Sequence, residues 1–323
     1  MSSSEVFDVA LTTPFRNLTR RSGLLIRGAA GWGEWSPFPE YGFPEILAWW
    51  AAALEAAEEG FPDPVRDWVP VNSIVPAVGP EDAARLALAG GCRTAKVKVA
   101  QAGQRFADDL ERVEAVRSAL GLQGRVRIDV NGAWSVDQAY RNLRQLTRFD
   151  LEYVEQPCAT AEELADLRRR LARSGIEVLI AADESIRRSG DPEAVVALEA
   201  ADIAVLKVQP LGGVRRCLAL AERLGLPVVV SSAIESSVGI RAGVALAAAL
   251  PELPYACGLN TVALLANDVT DDPLVAVEGR LPVRDVVVLE PSAEGPVWQA
   301  SAEMRQWWLD RRAAMEQRRG EPR

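Results

Sequence analysis

The sequence has no histidine, and only three of its 36 basic residues are lysine. Without histidine, a proton-transfer enzyme loses its usual general base near neutral pH. Arginine cannot replace it, because a guanidinium keeps its proton below pH ~12, whereas a lysine can be tuned towards neutrality. The lysines are Lys96, Lys98 and Lys207, and both ends of the chain are free of them. In a chain that uses arginine for almost every other positive charge, they are the first candidates for acid–base chemistry. Cysteine is sparse too: Cys92, Cys158, Cys217 and Cys257 form no Cys-X-X-Cys pair and read as reduced thiols. No apolar run approaches the ~18 residues of a membrane span, and no export-signal layout stands at the start. The expectation is a cytoplasmic protein with no membrane partner. A net charge of −9 argues against nucleic acid as a partner. The one basic cluster, residues 311–319, reads as a solvated helix face. Oligomeric state leaves no mark on the sequence.

What is present is an ordinary globular composition, 49% hydrophobic and 25% charged over 323 residues, with ample material for a core. From about residue 70, β-branched runs recur at 71–75, 95–99, 126–130, 151–154, 177–181, 203–208 and 228–230. Helically spaced stretches such as 107–120, 162–172 and 214–224 separate them. Most of these runs are continuously apolar rather than alternating, the mark of parallel strands covered on both faces. The polar residues that end them are 31, 26, 28, 24 and 24 apart, from Lys98 through Asp129, Glu155, Asp183 and Lys207 to Ser231. A βα unit of that size, repeated seven or eight times, closes as a barrel. A doubly wound sheet would need a glycine-rich phosphate turn after the first strand, where this chain has Pro76-Ala77-Val78-Gly79-Pro80.

The ends differ from this repeat. Residues 1–69 are rich in turns and aromatics, with one helix expected around 45–59; the tail is expected to form a strand at 283–289 and a charged helix from Trp298. The expected organisation is therefore α/β: a (β/α)7β modified TIM barrel over 70–281, capped by a small α+β unit built from 1–69 and 282–323.

In a parallel barrel, the carboxyl ends of the strands converge on one site. Here they carry Lys96-Val97-Lys98, Asp129-Val130-Asn131, Glu155-Gln156-Pro157, Asp183-Glu184-Ser185 and Lys207-Val208-Gln209-Pro210. Alternate residues share a face, so Lys96 joins Lys98 and Asn131 joins Asp129 in pointing inward. Three neighbouring carboxylates repel one another unless a cation sits among them. An oxygen-only set suits Mg²⁺, with Mn²⁺ as the second choice. A divalent cation holding a substrate carboxylate would acidify the adjacent C–H, and a neutral lysine would remove that proton. Repulsion from Lys96 would lower the pKa of Lys98, the candidate base. Lys207, across the ring, would be a second acid–base group or a fixed cation. The plainer reading makes Asp183 a helix cap and each lysine a salt-bridge partner. It has to be invoked five times in register, and it leaves the scarcity of lysine unexplained.

With these motifs in place, the chain resembles the enolase superfamily, and its Lys-X-Lys with a later Lys207 resembles the muconate-lactonising subgroup. Supporting runs are Gly31-Trp32-Gly33-Glu34, Arg127-Ile128-Asp129-Val130-Asn131, Ser231-Ser232-Ala233-Ile234-Glu235-Ser236 and Gly258-Leu259-Asn260-Thr261. Within the subgroup it is most similar to short members that dehydrate a cyclohexadiene carboxylate to an aromatic product in menaquinone biosynthesis. The resemblance implies Mg²⁺ on Asp129, Glu155 and Asp183, with the ring carboxylate of 2-succinyl-6-hydroxy-2,4-cyclohexadiene-1-carboxylate bound to it. It implies Lys98 as base and then acid, Lys207 on the opposite face, and Asn131, Ser231 and Ser232 near the substrate. The rival it also implies is an N-acylamino-acid racemase or dipeptide epimerase, in which Lys98 and Lys207 work as opposed bases. A cycloisomerase and a catalytically silent binding barrel are more distant alternatives.

Overall fold

The computed structural model describes residues 4–15, 18–290 and 298–319. The chain opens with an antiparallel sheet of β1 (Ser4–Phe15), β2 (Leu18–Gly28) and β3 (Gly31–Trp35), followed by α1 (Glu45–Leu54) and one π-helical turn, Glu55–Glu59. The expected helix at 45–59 is thus present but changes pitch at its last turn. Tight packing explains the small residues here: a Cβ on Gly33 would stand 2.0 Å from the Ala53 carbonyl oxygen, so β3 lies against α1 only because that position is bare.

After β4 (Trp68–Pro70), seven parallel strands follow in unbroken order. They are β5 (Ser73–Val75), β6 (Thr94–Lys98), β7 (Arg125–Asp129), β8 (Leu151–Glu155), β9 (Ile180–Ala182), β10 (Ile203–Lys207) and β11 (Val228–Ser231). The connecting helices begin with α2 (Pro80–Ala87), α3 (Phe106–Leu120), α4 (Val136–Leu146) and α5 (Ala161–Arg173). After them come α6 (Glu184–Arg187), α7 (Ala194–Ala197), α8 (Val208–Leu211), α9 (Val214–Leu224) and α10 (Ser237–Ala249). Local sequence sets several of their starts. Ser135 and Thr160 each cap a helix with Gln138 or Glu163 three residues on, a reciprocal box that satisfies two otherwise orphaned donors.

Among the described residues, the ring closes without a regular eighth strand. Val71 bridges Cys257 and Ser231 bridges Gly258, both in parallel sense, so the segment around 257–258 fills the gap between the first and last strands. Alternation along the strands divides the core in two. Tyr153, Ala181, Ile203, Val205 and Val229 form a separate buried cluster, which is the barrel interior, while the other faces pack on the helices. Ile203, Val205 and Val229 each contribute about 1.5–3 kcal/mol by leaving water. Glu155, Asp183, Lys207 and Ser231 share the parity of this interior set, so they crown it at the carboxyl ends of the strands.

The tail departs from the sequence expectation. The only tail strand among the described residues is β12 (Arg280–Pro282), paired with β4; residues 283–289 form none. Proline at 282 has no N–H to extend the ladder, and among the described residues the backbone from 283 to 289 is held only by Val283 N–H to Asp67 O and Leu289 N–H to Val269 O, with Arg284 and Asp285 adding side-chain ion pairs to Asp272 and Arg241. Burial still alternates, with Val286 and Val288 buried and Val287 exposed, which is why the segment reads as a strand. The terminal helix α11 (Ala302–Arg319) starts four residues later than expected, because Trp298–Ala300 instead pair with β1 through Asp8 N–H to Trp298 O and Ala300 N–H to Val6 O. Strand β9 likewise begins at Ile180, three residues after the expected start.

Candidate active site

Register puts the chemistry together. Lys98 pairs with Asp129, Asp129 with Glu155, and Lys207 with Ser231, so neighbouring strands end level. Asp183 follows β9 directly. The three carboxylates are essentially inaccessible, and each is turned onto a lysine. Lys98 Nζ lies 2.5 Å from Asp129 Oδ2, Lys96 Nζ lies 2.9 Å from Glu155 Oε2 and 3.5 Å from Asp129 Oδ2, and Lys207 Nζ lies 2.6 Å from Asp183 Oδ2. Lys98 and Lys207 stand on β6 and β10, four places apart in an eight-place ring, and hence on opposite sides of the carboxylates.

Burial and charge pull these groups apart in acidity. Burial alone would raise Asp129, but Lys98, Lys96 and Lys207 outweigh it and hold the carboxyl well below the usual range. Asp183 also resists burial, through Arg187 and Lys207, and sits at about 2. Glu155 goes the other way, raised to about 7 by burial and by the charge on Asp129. Burial is opposed at Lys96 by Glu155 and Asp129, which raise it. Lys98 is lowered, by burial first, with Lys96 repulsion adding and Asp129 opposing. One lysine is thereby held as a cation and its neighbour is pushed towards the neutral form a base needs.

Among the described residues, no group of three or more His, Cys, Asp and Glu is gathered closely enough to make a ready metal cage. The donor set nevertheless fits a hard divalent cation. It is all oxygen, it lies on three adjacent strand ends, and its lysine counter-charges are flexible side chains rather than fixed backbone.

Asn131 joins this group, its side-chain oxygen accepting from Lys98 Nζ at 2.6 Å. It adopts φ +52°, which an asparagine tolerates better than most residues. Ser231 is buried beside Gly258, where a Cβ would stand 2.6 Å from its hydroxyl. Ser232 turns to the Gly258 carbonyl at 2.8 Å and the Thr261 hydroxyl at 2.9 Å. Neither serine caps α10; Ser236 does, accepting from Val238 N–H. Asp183 makes no side-chain cap to the helix it precedes, so the plain capping reading fails there. A cavity of about 610 Å³ opens beside the site, bounded by Lys98 and Asn131 below and by Thr13, Phe15 and Glu40 above. The Phe15 ring centroid lies 5.3 Å from Lys98 Nζ, within reach of a cation–π contact.

The sequence reading passed over three residues of the site. Gln156 accepts the N–H groups of Asp183 and Ser185. Arg187 holds Asp183, and Glu184 bridges Arg187 and Asn131. Gln156 and Glu184 adjoin the strand-end carboxylates Glu155 and Asp183, and that adjacency was the available signal. Arginine is so common here that Arg187 gave none.

A model for enolase N-terminal domain-like segments matches residues 6–57, and one for enolase C-terminal domain-like segments matches residues 80–287. The structure is similar to the L-Ala-D/L-Glu epimerase of Bacillus subtilis (TM-score 0.74, 22% identity, covering 93% of this chain and 99% of that one). It is also similar to the muconate lactonizing enzyme of Pseudomonas putida (TM-score 0.72, 22% identity, covering 88% and 94%). Identities that low speak for the fold alone. Fold and models together define an enolase-type barrel with its cap. Closer relatives refine this: an o-succinylbenzoate synthase of Thermobifida fusca is 66% identical over 288 residues, 89% of each chain. One of Mycolicibacterium smegmatis is 51% identical over 303 residues, 92% of this chain and 90% of that one. This chain belongs to the o-succinylbenzoate synthase family of the enolase superfamily. No helix among its described residues is long and apolar enough to cross a membrane.

Proposed function

We infer that this chain catalyses the o-succinylbenzoate synthase reaction, a syn elimination of water from 2-succinyl-6-hydroxy-2,4-cyclohexadiene-1-carboxylate that leaves an aromatic ring. It is thus a carbon–oxygen lyase acting on a small carboxylate. The site supplies the chemistry of enolate formation. What selects dehydration over epimerisation is the 66% identity to a relative of that name across nine-tenths of the chain.

Lys98 takes the proton from the carbon next to the ring carboxylate, leaving an enolate. It then returns that proton to the departing hydroxyl on the same face, so that water leaves and no net proton is consumed. Burial and Lys96 lower Lys98 for this task, and Asp129 and Asn131 aim it. Lys96 stays charged on Glu155, and Lys207 presents a cation to the enolate's opposite face. Asp129, Glu155 and Asp183 would hold Mg²⁺, or Mn²⁺ in its place, and the cation when bound neutralises the substrate carboxylate and the charge that develops on it. Ser231 and Ser232, with Asn131, line the substrate end of the barrel. The segments 1–69 and 282–323 act as one cap over a cytoplasmic enzyme's barrel of 70–281.

The test is to give the Mg²⁺-loaded protein the cyclohexadiene substrate and follow aromatic absorbance, then to offer N-succinyl amino acids in D₂O. Rapid aromatisation is expected. Deuterium uptake and racemisation without any dehydration would overturn the assignment in favour of an epimerase.

A further inference from the structure

Arg187, on the four-residue helix after β9, has a side chain only 2% exposed and spends all three guanidinium nitrogens on three different side chains. Its Nε donates to Asp183 Oδ1 at 2.9 Å, its Nη2 to Glu184 Oε1 at 2.7 Å and its Nη1 to the Tyr41 hydroxyl at 3.0 Å. Each link continues. The other oxygen of Asp183 accepts from Lys207 at 2.6 Å. The same Glu184 oxygen accepts from Asn131 Nδ2 at 3.2 Å, and Asn131 in turn accepts from Lys98. One guanidinium therefore ties together the two lysines that stand on opposite sides of the barrel.

Its third arm reaches out of the barrel. Tyr41 lies in the segment between β3 and α1, set edge-on against Phe38 and Trp49, with Arg188 5.3 Å over its ring. Arg311 of the terminal helix donates to the Tyr41 carbonyl at 2.6 Å. Tyr41 is consequently placed by the cap from several directions, and its hydroxyl reports that placement to Arg187. A lysine could not do this, because a single ammonium is a point charge without the planar fork that addresses three acceptors at once.

We propose that Arg187 is a positioning residue through which the cap, by way of the Tyr41 hydroxyl, aligns both halves of the active site. Through Asp183 it fixes a carboxylate that would hold Mg²⁺, and through Glu184 and Asn131 it fixes Lys98. The proposal rests on the dehydration assigned above. Arginine at this place acts on groups that touch substrate or cation and touches neither itself.

The experiment measures kcat and KM for dehydration, Mg²⁺ binding by calorimetry without substrate, and melting temperature, in the full chain and four variants. Arg187→Gln is expected to lower kcat and weaken Mg²⁺ binding, each by roughly 10–100-fold, the usual size for partners that orient metal ligands. Arg187→Lys should recover Mg²⁺ binding by keeping a cation on Asp183, but not kcat. Tyr41→Phe, which deletes one oxygen and keeps the packed ring, should lower kcat several-fold with KM and Mg²⁺ affinity unchanged. Glu184→Gln should do the same. If Arg187→Gln does not fold, the Tyr41 and Glu184 variants decide the matter. A parent that dehydrates the substrate, with both of those variants within twofold of it, overturns the positioning role alone. A parent without dehydration activity overturns the functional assignment, and this role with it.

Discussion

Replacing Lys98 by arginine separates its charge from its proton. In the structure Lys98 Nζ sits 2.5 Å from Asp129 and 2.6 Å from Asn131, at the edge of a cavity of about 610 Å³. A guanidinium reaches the same two oxygens, so the ion pair with Asp129 and the local field survive. What it cannot do is lose a proton at neutral pH, because its pKa stays above ~12. General base catalysis by a placed side chain is worth roughly 10²–10⁴-fold, or about 3–5 kcal/mol of barrier. Lys98 has to work twice, as base and then as acid, so the expected loss in kcat is about 10³-fold or more. Stability should barely move, with Tm within about 4 °C of the parent, since no buried charge is left unpaired. Steady-state rates of aromatisation and a thermal melt measure the two quantities on the same samples. Exchange of the substrate α-proton in D₂O should vanish along with turnover. A folded Lys98→Arg enzyme with kcat within tenfold of the parent would refute the assigned role. Lys98→Ala is the weaker probe, because it also strips Asp129 of its nearest counter-charge.

Lys207→Arg keeps the cation opposite, and if that is all the enolate needs, its kcat should fall far less than that of Lys98→Arg; the reverse order in parallel assays would reassign the base. Chelating divalent ions should abolish dehydration and Mg²⁺ should restore it, whereas undiminished rates after exhaustive chelation and dialysis would contradict the cation's part. Glu34, raised to about 7 by burial and by Glu235, accepts from Ser236 N–H and Gly239 N–H across the cap–barrel contact. A carboxyl raised in the folded state stabilises it fully below the unfolded pKa of 4.5, and that stability drains away as pH rises towards and through 7. Urea melts should therefore weaken by a few kcal/mol between pH 5 and 8, and in Glu34→Gln that slope should flatten; an unchanged slope would rule Glu34 out as its source. Gly33→Ala drives a methyl to 2.0 Å from the Ala53 carbonyl, so Tm should drop by more than for a surface Gly→Ala control such as Gly42→Ala, where nothing lies within 4 Å.

Much of this site is legible before any coordinate, and the reason is physical. Parallel strands buried on both faces are mostly apolar, so a charged residue closing such a run marks a candidate strand end, and barrel closure brings those ends together. Lys98, Asp129, Glu155, Asp183 and Lys207 could be found this way, and the scarcity of lysine singled out two of them. Other features had no such signal. The eighth place in the ring is filled by bridges at Cys257 and Gly258 rather than a ladder, so no periodic run announces it. Residues 285–288 alternate in burial as a strand would, yet no ladder follows Pro282 to make the segment one.

Arg187 was invisible for a different reason. Two of its partners, Asp183 and Glu184, stand only four and three residues before it, but the third, the Tyr41 hydroxyl, comes from the cap, and only the fold brings it to 3.0 Å. The roles read from the sequence also divide more cleanly than the molecule does. Carboxylates were assigned to a cation and lysines to protons, but in the structure every one of those carboxylates is held by a lysine. Carboxylates and lysines are therefore one electrostatic unit. Removing any carboxylate alters the acidity of the lysine on it, and removing any lysine alters the charge left for the cation. Single substitutions here will not add, so the role of each member has to be taken from charge-keeping changes such as lysine to arginine rather than from deletions.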